Sequence, residues 1–318
     1  MTERRFGSAD LALILTTALW GLNAVLTKNA VGNSPSLFGV FTFNTIRIAL
    51  GAVMIMAFQR VRGGSLAIKR RHLPYFAKLS FFGMFLFMVA FVAGIKLSSA
   101  SNAGVYSSFI PLMILVVSFL SGIDHPTRNT TAGIIVGFAG MLLITFRHGS
   151  LHLHPGDLIL FTLSLFWAIH TVFGKPMLQI YSPFTVTVWV YIFVIMYQLP
   201  FFIWEARGID WSAISKASWL YLAVSAVCST FLANSLFYIA VKSIGPVRTS
   251  VYTNLTPVFT ILLAMLLRGE SITTLQTAGF TLIFIGIATA QAPRWIEAAR
   301  HGQRTIRSPH ADITEKKY

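Results

Sequence analysis

Arg47 is the residue in this chain whose position most needs a chemical explanation. It stands about ten residues into an apolar run that opens near residue 37, which at ~1.5 Å per helical residue puts its charge ~15 Å deep. An unpaired cation at that depth of a bilayer costs at least ~3 kcal/mol. All ten Asp and Glu residues fall at the ends of apolar runs, in links or in tails, so no acid is placed to pair with it. The guanidinium must turn inward, either tying helices together through carbonyls and water or meeting an anionic group on a bound solute. Asn44, one helical turn earlier on the same face, can orient it or bond the same ligand.

The other polar candidates recur in pairs. Asn23 and His170 each follow a helix-starting acid, Asp10 or Asp157, at the same interval, which sets them just beyond mid-span on opposite sides. His170 is the side chain near mid-span that can change charge around neutral pH, as a proton carrier if the chemistry is proton-coupled; the other reading is a neutral histidine bonded between helices. Tyr106 and Tyr252 stand five residues before Pro111 and Pro257, prolines that remove a backbone donor and break or loosen their helices. Both tyrosines are expected to line a cavity or to pack between helices. Asn234 and Tyr238 share a face at i and i+4. Trp20 and Trp167 either form a cavity wall or stack on a ligand. Lys28 and Lys175 close their helices, where a lysine interacts with the C-terminal dipole and snorkels to the interface or serves as a gate.

Several chemistries are missing. H-E-x-x-H, G-x-S-x-G and paired mid-span carboxylates do not occur, which argues against a membrane-embedded hydrolase. A carboxylate that binds protons and cations in turn is also missing from the spans. Cys228 is the single cysteine, so no intrachain disulfide and no cysteine metal site are expected. Neither cofactor nor metal is implied. No ATPase motif is present, which leaves gradients or equilibration as energy sources.

The elements that must position these residues are apolar helices. The chain has 318 residues, 55% hydrophobic and 11% charged, with a mean hydropathy of +0.70, whereas soluble domains carry about 25% charged side chains. This is the composition of an all-α polytopic membrane protein. Apolar windows bounded by Gly, Pro or charge give ten spans, starting near residues 9, 37, 74, 98, 130, 156, 183, 216, 244 and 273. The formal charge of +15 would suggest nucleic acid in a soluble chain, but the basic residues lie between and after spans, without interleaved aromatics on a polar fold. The positive-inside rule accounts for them and sets both termini in the cytoplasm, with Arg60, Arg62, Lys69, Arg70 and Arg71 in a cytoplasmic link.

Stretches 10–28 and 157–175 are one helix written twice, with Asp, Leu, Trp and Lys at matching places. Lys96, Tyr106, Pro111, Asp124, Gly133 and Gly140 recur at one constant offset as Lys242, Tyr252, Pro257, Glu270, Gly279 and Gly286. Residues 1–8 are read as a cytoplasmic N-terminus, 9–146 as a first repeat, 147–155 as a linker, 156–293 as a second repeat and 294–318 as a basic cytoplasmic tail. Five spans per half is an odd number, so the halves enter the membrane from opposite sides and form an inverted repeat around a central cavity. Gly133-x-x-x-Gly137 suits a dimer face or close packing within one chain, and either a monomer or a homodimer is open.

Trp20-Gly21-x-Asn23 followed by Lys28, Arg47 in the second span, Pro111 and Pro257, and Gly269-Glu270 leading to Gln276-x-x-Gly279 resemble the drug/metabolite transporter superfamily, in particular its EamA-type members. The resemblance covers roughly residues 9 to 292. It implies ten helices around a central cavity and movement of small metabolites, often outward, by alternating access. The first reading is a carrier in a bacterial inner membrane that exports a small polar metabolite such as an amino acid. An organic-anion exchanger for sugar phosphates or nucleotide sugars is the second reading, and a membrane enzyme or receptor a distant third. The sequence departs from the family pattern at Asp124, where Glu is usual, and at Ala168 and His170, which replace the Gly21 and Asn23 of the first copy.

Overall fold

The computed structural model describes residues 7–31, 34–97, 109–145, 155–268 and 274–307. Its helices are α1 (Ser8–Ala30), α2 (Val40–Val61), α3 (Leu73–Leu79), α4 (Leu86–Leu97), α5 (Ile110–Ser121), α6 (Arg128–Thr145) and α7 (Pro155–Ile180). They continue as α8 (Pro183–Ala206), α9 (Lys216–Ser225), α10 (Asn234–Ile244), α11 (Pro246–Thr253), α12 (Leu255–Arg268) and α13 (Thr274–Arg307). No strand occurs among the described residues; Val31 and Phe38 form one isolated bridge.

Among the described residues seven helical stretches are long and apolar enough to cross a membrane: Ser8–Thr27, Val40–Val61, Arg70–Phe91, Leu158–Ile180, Pro183–Ala206, Lys216–Ile244 and Thr274–Pro293. The chain is therefore a multi-pass integral membrane protein. Of the other three expected spans, the fourth opens in residues that are not described and continues as the shorter apolar helix α5. The fifth corresponds to α6, and the ninth is divided into α11 and α12 by a turn at Asn254.

Local chemistry explains the breaks. Pro111 lies in the first turn of α5 and Pro257 in the first turn of α12, where a helix has no use for the N–H that proline lacks. Gly245 takes φ +85 between α10 and α11, a conformation that glycine adopts at little cost. Pro293 ends the last membrane-crossing stretch, as expected, while the helix α13 itself runs on through it to Arg307. The residues after it, Trp295 to Arg300, include Glu, Ala and Arg, all of which favour helix.

Two interruptions carry no proline. Between α3 and α4 lies a π-helical turn, Ser80–Phe85, and between α9 and α10 a second, Ala226–Ala233. Their first residues are separated by the same interval that separates Lys96 from Lys242 and Tyr106 from Tyr252. The turns therefore begin at matching places in the two halves of the sequence.

Packing repeats the correspondence. α6 and α13 approach so closely that a side chain at Gly140 would come within 2.6 Å of the Gly279 carbonyl, and one at Gly286 within 2.6 Å of the Gly133 carbonyl. Gly133 and Gly140 are the sequence counterparts of Gly279 and Gly286, so the two contacts are reciprocal, as a two-fold relation requires. The Gly133-x-x-x-Gly137 face is accordingly used inside the chain: a side chain at Gly137 would meet the Asn254 amide at 2.8 Å.

Contacts distinguish the two ends of the bundle. At the basic end the Tyr181 carbonyl accepts from Lys242 Nζ at 3.1 Å. The Tyr181 hydroxyl accepts from the Lys69 N–H at 2.9 Å and pairs with His72 Nδ1 at 2.7 Å. At the opposite end Glu205 closes the start of α2, accepting from the Val40 N–H (3.0 Å), the Thr42 N–H (2.6 Å) and the Thr42 hydroxyl (2.8 Å). These are donors that the first turn of a helix leaves open.

Candidate functional site

Aromatic rings pack together in the middle of the bundle. Trp20 on α1 meets Trp167 on α7 edge to face at 5.4 Å, and Phe237 on α10 lies 5.1 Å from the first and 5.6 Å from the second. Phe87 backs Trp167 at 5.0 Å. Trp20 and Trp167 are the repeated tryptophans of the sequence, here in direct contact. Neighbouring rings in offset or edge-on arrangements gain about 0.5–1.5 kcal/mol per pair beyond their burial.

Two polar clusters lie beside these rings, and Arg47 of the first is within electrostatic reach of Tyr191 of the second. Asn23 follows Trp20 by one helical turn and His170 follows Trp167 by one turn, while α1 starts and α7 ends at the basic end. The two helices run in opposite directions, so Asn23 faces the Glu205 end and His170 the basic end.

In the first cluster Arg47 Nη1 donates to Asn23 Oδ1 at 3.2 Å and to Ser225 Oγ at 3.4 Å, and Nη2 donates to Asn44 Oδ1 at 2.8 Å. Ser225 Oγ donates in turn to Asn23 Oδ1 at 2.5 Å. The Phe43 ring lies 5.4 Å from the guanidinium carbon. Arg47 forms no ion pair; among the described residues the single ion pair joins Lys175 and Asp124. Ser225, the last residue of α9 before the π turn, drew no attention in the sequence because it sits at no repeated or motif position.

In the second cluster Tyr238 OH lies 2.8 Å from His170 Nε2. Asn234 Nδ2 donates to Tyr191 OH at 2.5 Å, and that hydroxyl donates to the Thr230 carbonyl inside the π turn at 2.9 Å. Met84, Trp167, His170, Thr187, Tyr191, Asn234, Phe237 and Tyr238 line a cavity of ≈ 10 Å³ as measured by the space open to a water's centre, room for about one water. The π turns bring the walls close. A side chain on Gly83, in the first turn, would come within 2.8 Å of His170 Cβ, and one on Gly51 of α2 would strike Thr230 in the second. Tyr191 and Thr187 were missed by sequence reasoning; their one signal was polarity on a shared face of an apolar span.

The remaining candidates lie elsewhere. Tyr252 OH donates to Asp10 Oδ1 at 2.5 Å, and Asp10 Oδ2 accepts from the Gly7 N–H at 2.7 Å. Tyr252 thus ties α11 to the buried start of α1, away from the aromatic rings. Lys175 pairs with Asp124 Oδ1 at 2.9 Å and donates to the Ile123 carbonyl at 3.3 Å. Asp124 Oδ2 accepts from the Val247 N–H at the start of α11 (3.2 Å), joining three elements at the basic end. Tyr106 and the side chain of Lys28 lie outside the described residues.

Comparison with known proteins follows this geometry. The sequence profile of the EamA-like transporter family matches residues 7–146 and again residues 154–290. Two proteins of Bacillus subtilis (strain 168) are similar along most of their length. The uncharacterized transporter YetK is 23% identical over 90% of this chain and 87% of its own. The uncharacterized transporter YyaM is 26% identical over 83% of this chain and 87% of its own. An uncharacterized transporter of Archaeoglobus fulgidus is 27% identical over 87% of this chain and 96% of its own. A crystal structure 20% identical in sequence superposes with a TM-score of 0.75 over 90% of this chain and 98% of that one, a likeness of fold.

Proposed function

The chain belongs to the EamA-like transporter family, and from that premise we propose that it carries small polar metabolites, amino acids among them, out of the cell by alternating access. The observation that carries this reading is the pair of neighbouring polar clusters, around Arg47 and around His170, buried beside Trp20, Trp167 and Phe237 in an otherwise apolar bundle. The cavity of ≈ 10 Å³ is too small for a metabolite, so passage requires the helices to separate around it.

In this reading ten helices form two inverted five-helix halves. The double match to the family profile, the paired π turns and the reciprocal glycine contacts support that arrangement. Both termini and the basic end face the cytoplasm of a bacterial inner membrane, in accord with the excess of Lys and Arg there. The carrier works as a monomer or homodimer, on a gradient or by exchange, with the lipid bilayer as its solvent. Substrate binds between the clusters. Asn23, Asn44, Arg47, His170, Asn234 and Tyr238 supply polar contacts, and Trp20 and Trp167 form the cavity wall. Tyr252, Lys28 and Lys175 belong to the closures at the helix ends, and Pro111 and Pro257 to the breaks where helices bend.

The test is purified protein in liposomes loaded with labelled amino acids, sugars and phosphorylated metabolites, with and without a pH gradient. Saturable, protein-dependent efflux of at least one class is expected. Flux no greater than in empty liposomes for every class would overturn the carrier reading.

A further inference from the structure

The charge and valence around Arg47 limit what can bind there. A guanidinium has five N–H donors and no acceptor. Three are directed at neutral acceptors, Asn23 Oδ1, Ser225 Oγ and Asn44 Oδ1. The two that remain are a second hydrogen on Nη2 and the Nε–H, and Nε is buried without a hydrogen-bond partner. Nε and Nη2 border the guanidinium edge that pairs side-on with two oxygens.

The neighbours add further donors. Both amide oxygens are spent on Arg47, and the Asn23 and Asn44 amide nitrogens donate to no other described residue. The Ser225 hydroxyl gives its hydrogen to Asn23. The cluster therefore presents N–H groups around one positive charge that no described carboxylate offsets. A buried donor without an acceptor costs about 1–3 kcal/mol, which a matching ligand recovers.

From this geometry we infer that Arg47, with the amide groups of Asn23 and Asn44, is the recognition site for a carboxylate on the transported solute. This deepens the carrier reading and rests on it. One cation suits one negative charge. A phosphate monoester, close to two charges at neutral pH, would keep one unmatched, since no second cationic side chain bonds this cluster. A zwitterionic amino acid satisfies the same rule through its carboxylate, with its ammonium group left to the aromatic faces of Trp20 and Trp167.

The experiment compares labelled carboxylates, amino acids among them, with their carboxamides and with neutral sugars and sugar phosphates, in liposomes carrying the full chain. The expected result is saturable flux of at least one carboxylate, at least 10-fold faster than its carboxamide, and a similar loss of that flux in Arg47→Gln. Asn44→Asp guards against misfolding in that variant. It places a fixed carboxylate on Arg47, so it should retain the wild-type melting temperature while carboxylate flux falls at least 10-fold. Equal transport of acid and carboxamide, preference for a sugar phosphate or neutral sugar, or wild-type carboxylate flux in Asn44→Asp would each overturn the assignment and leave a carrier of another substrate. No saturable flux of any solute would overturn both the assignment and the carrier reading.

Discussion

At the scale of single residues, the repeated polar positions are not used alike. Asn23 supports a cation, while its counterpart His170 is buried between Trp167 and Tyr238 and bonds the phenol. That contact ties α7 to α10. Glutamine can reproduce a hydrogen bond to Tyr238, and leucine fills similar space without one. His170→Leu should cost about 1–3 kcal/mol through the unpartnered phenol, and His170→Gln well under half of that. Thermal unfolding in detergent, followed by tryptophan fluorescence, would measure both; equal losses would mean that packing rather than the hydrogen bond is what His170 provides. Arg47, Asn44 and Asn23 could be picked from the sequence because polarity deep in an apolar run is rare. Ser225 could not, because a serine near a helix end is common. Asp10 and Tyr252 were each visible as half of a repeated pair, yet their bond to one another joins residues far apart in the chain, and only folding brings them together.

At the scale of elements, the seven membrane-crossing stretches among the described residues were legible because hydrophobic runs of that length have one stable use in lipid. Pro111 and Pro257, read from the sequence as helix breaks, stand in the first turns of α5 and α12. The π turns were not legible. A π turn adds one residue to a helix without changing composition, so the apolar pattern slips by a single position and no side chain announces it. In the Ala226–Ala233 turn that residue sets the direction of everything after it, including Asn234, Phe237 and Tyr238. Deleting Val227 should restore ordinary helix and rotate those three side chains by ~100°. The variant is expected to insert into membranes at near wild-type level and to lose at least 10-fold in transport. Retained flux, measured in the liposome assay against the amount of inserted protein, would show that the turn does not set the site.

At the scale of the whole molecule, orientation can be read directly. Cys228 can be replaced by serine, and single cysteines introduced at Ser65, in the link between α2 and α3, and at Ser212, between α8 and α9. In intact cells a membrane-impermeant maleimide should label Ser212→Cys and spare Ser65→Cys until the membrane is opened. The reverse pattern would invert the proposed topology. The doubling of the chain was legible in matched residues such as Lys96 and Lys242, but the meeting of the halves was not. Trp20 against Trp167, and Gly133 and Gly140 against Gly286 and Gly279, are contacts across the chain that sequence offset alone cannot assign.

The two π turns also carry a history. An extra residue inserted twice, independently, at matching points of two helices is a poorer account than one inserted once and then copied. On that argument the irregularity is older than the duplication that the proposed inverted repeat supposes. On the inverted-repeat reading proposed above, an ancestor half this size already carried it and would have met an upside-down second copy of itself to complete the contacts that now lie within a single polypeptide.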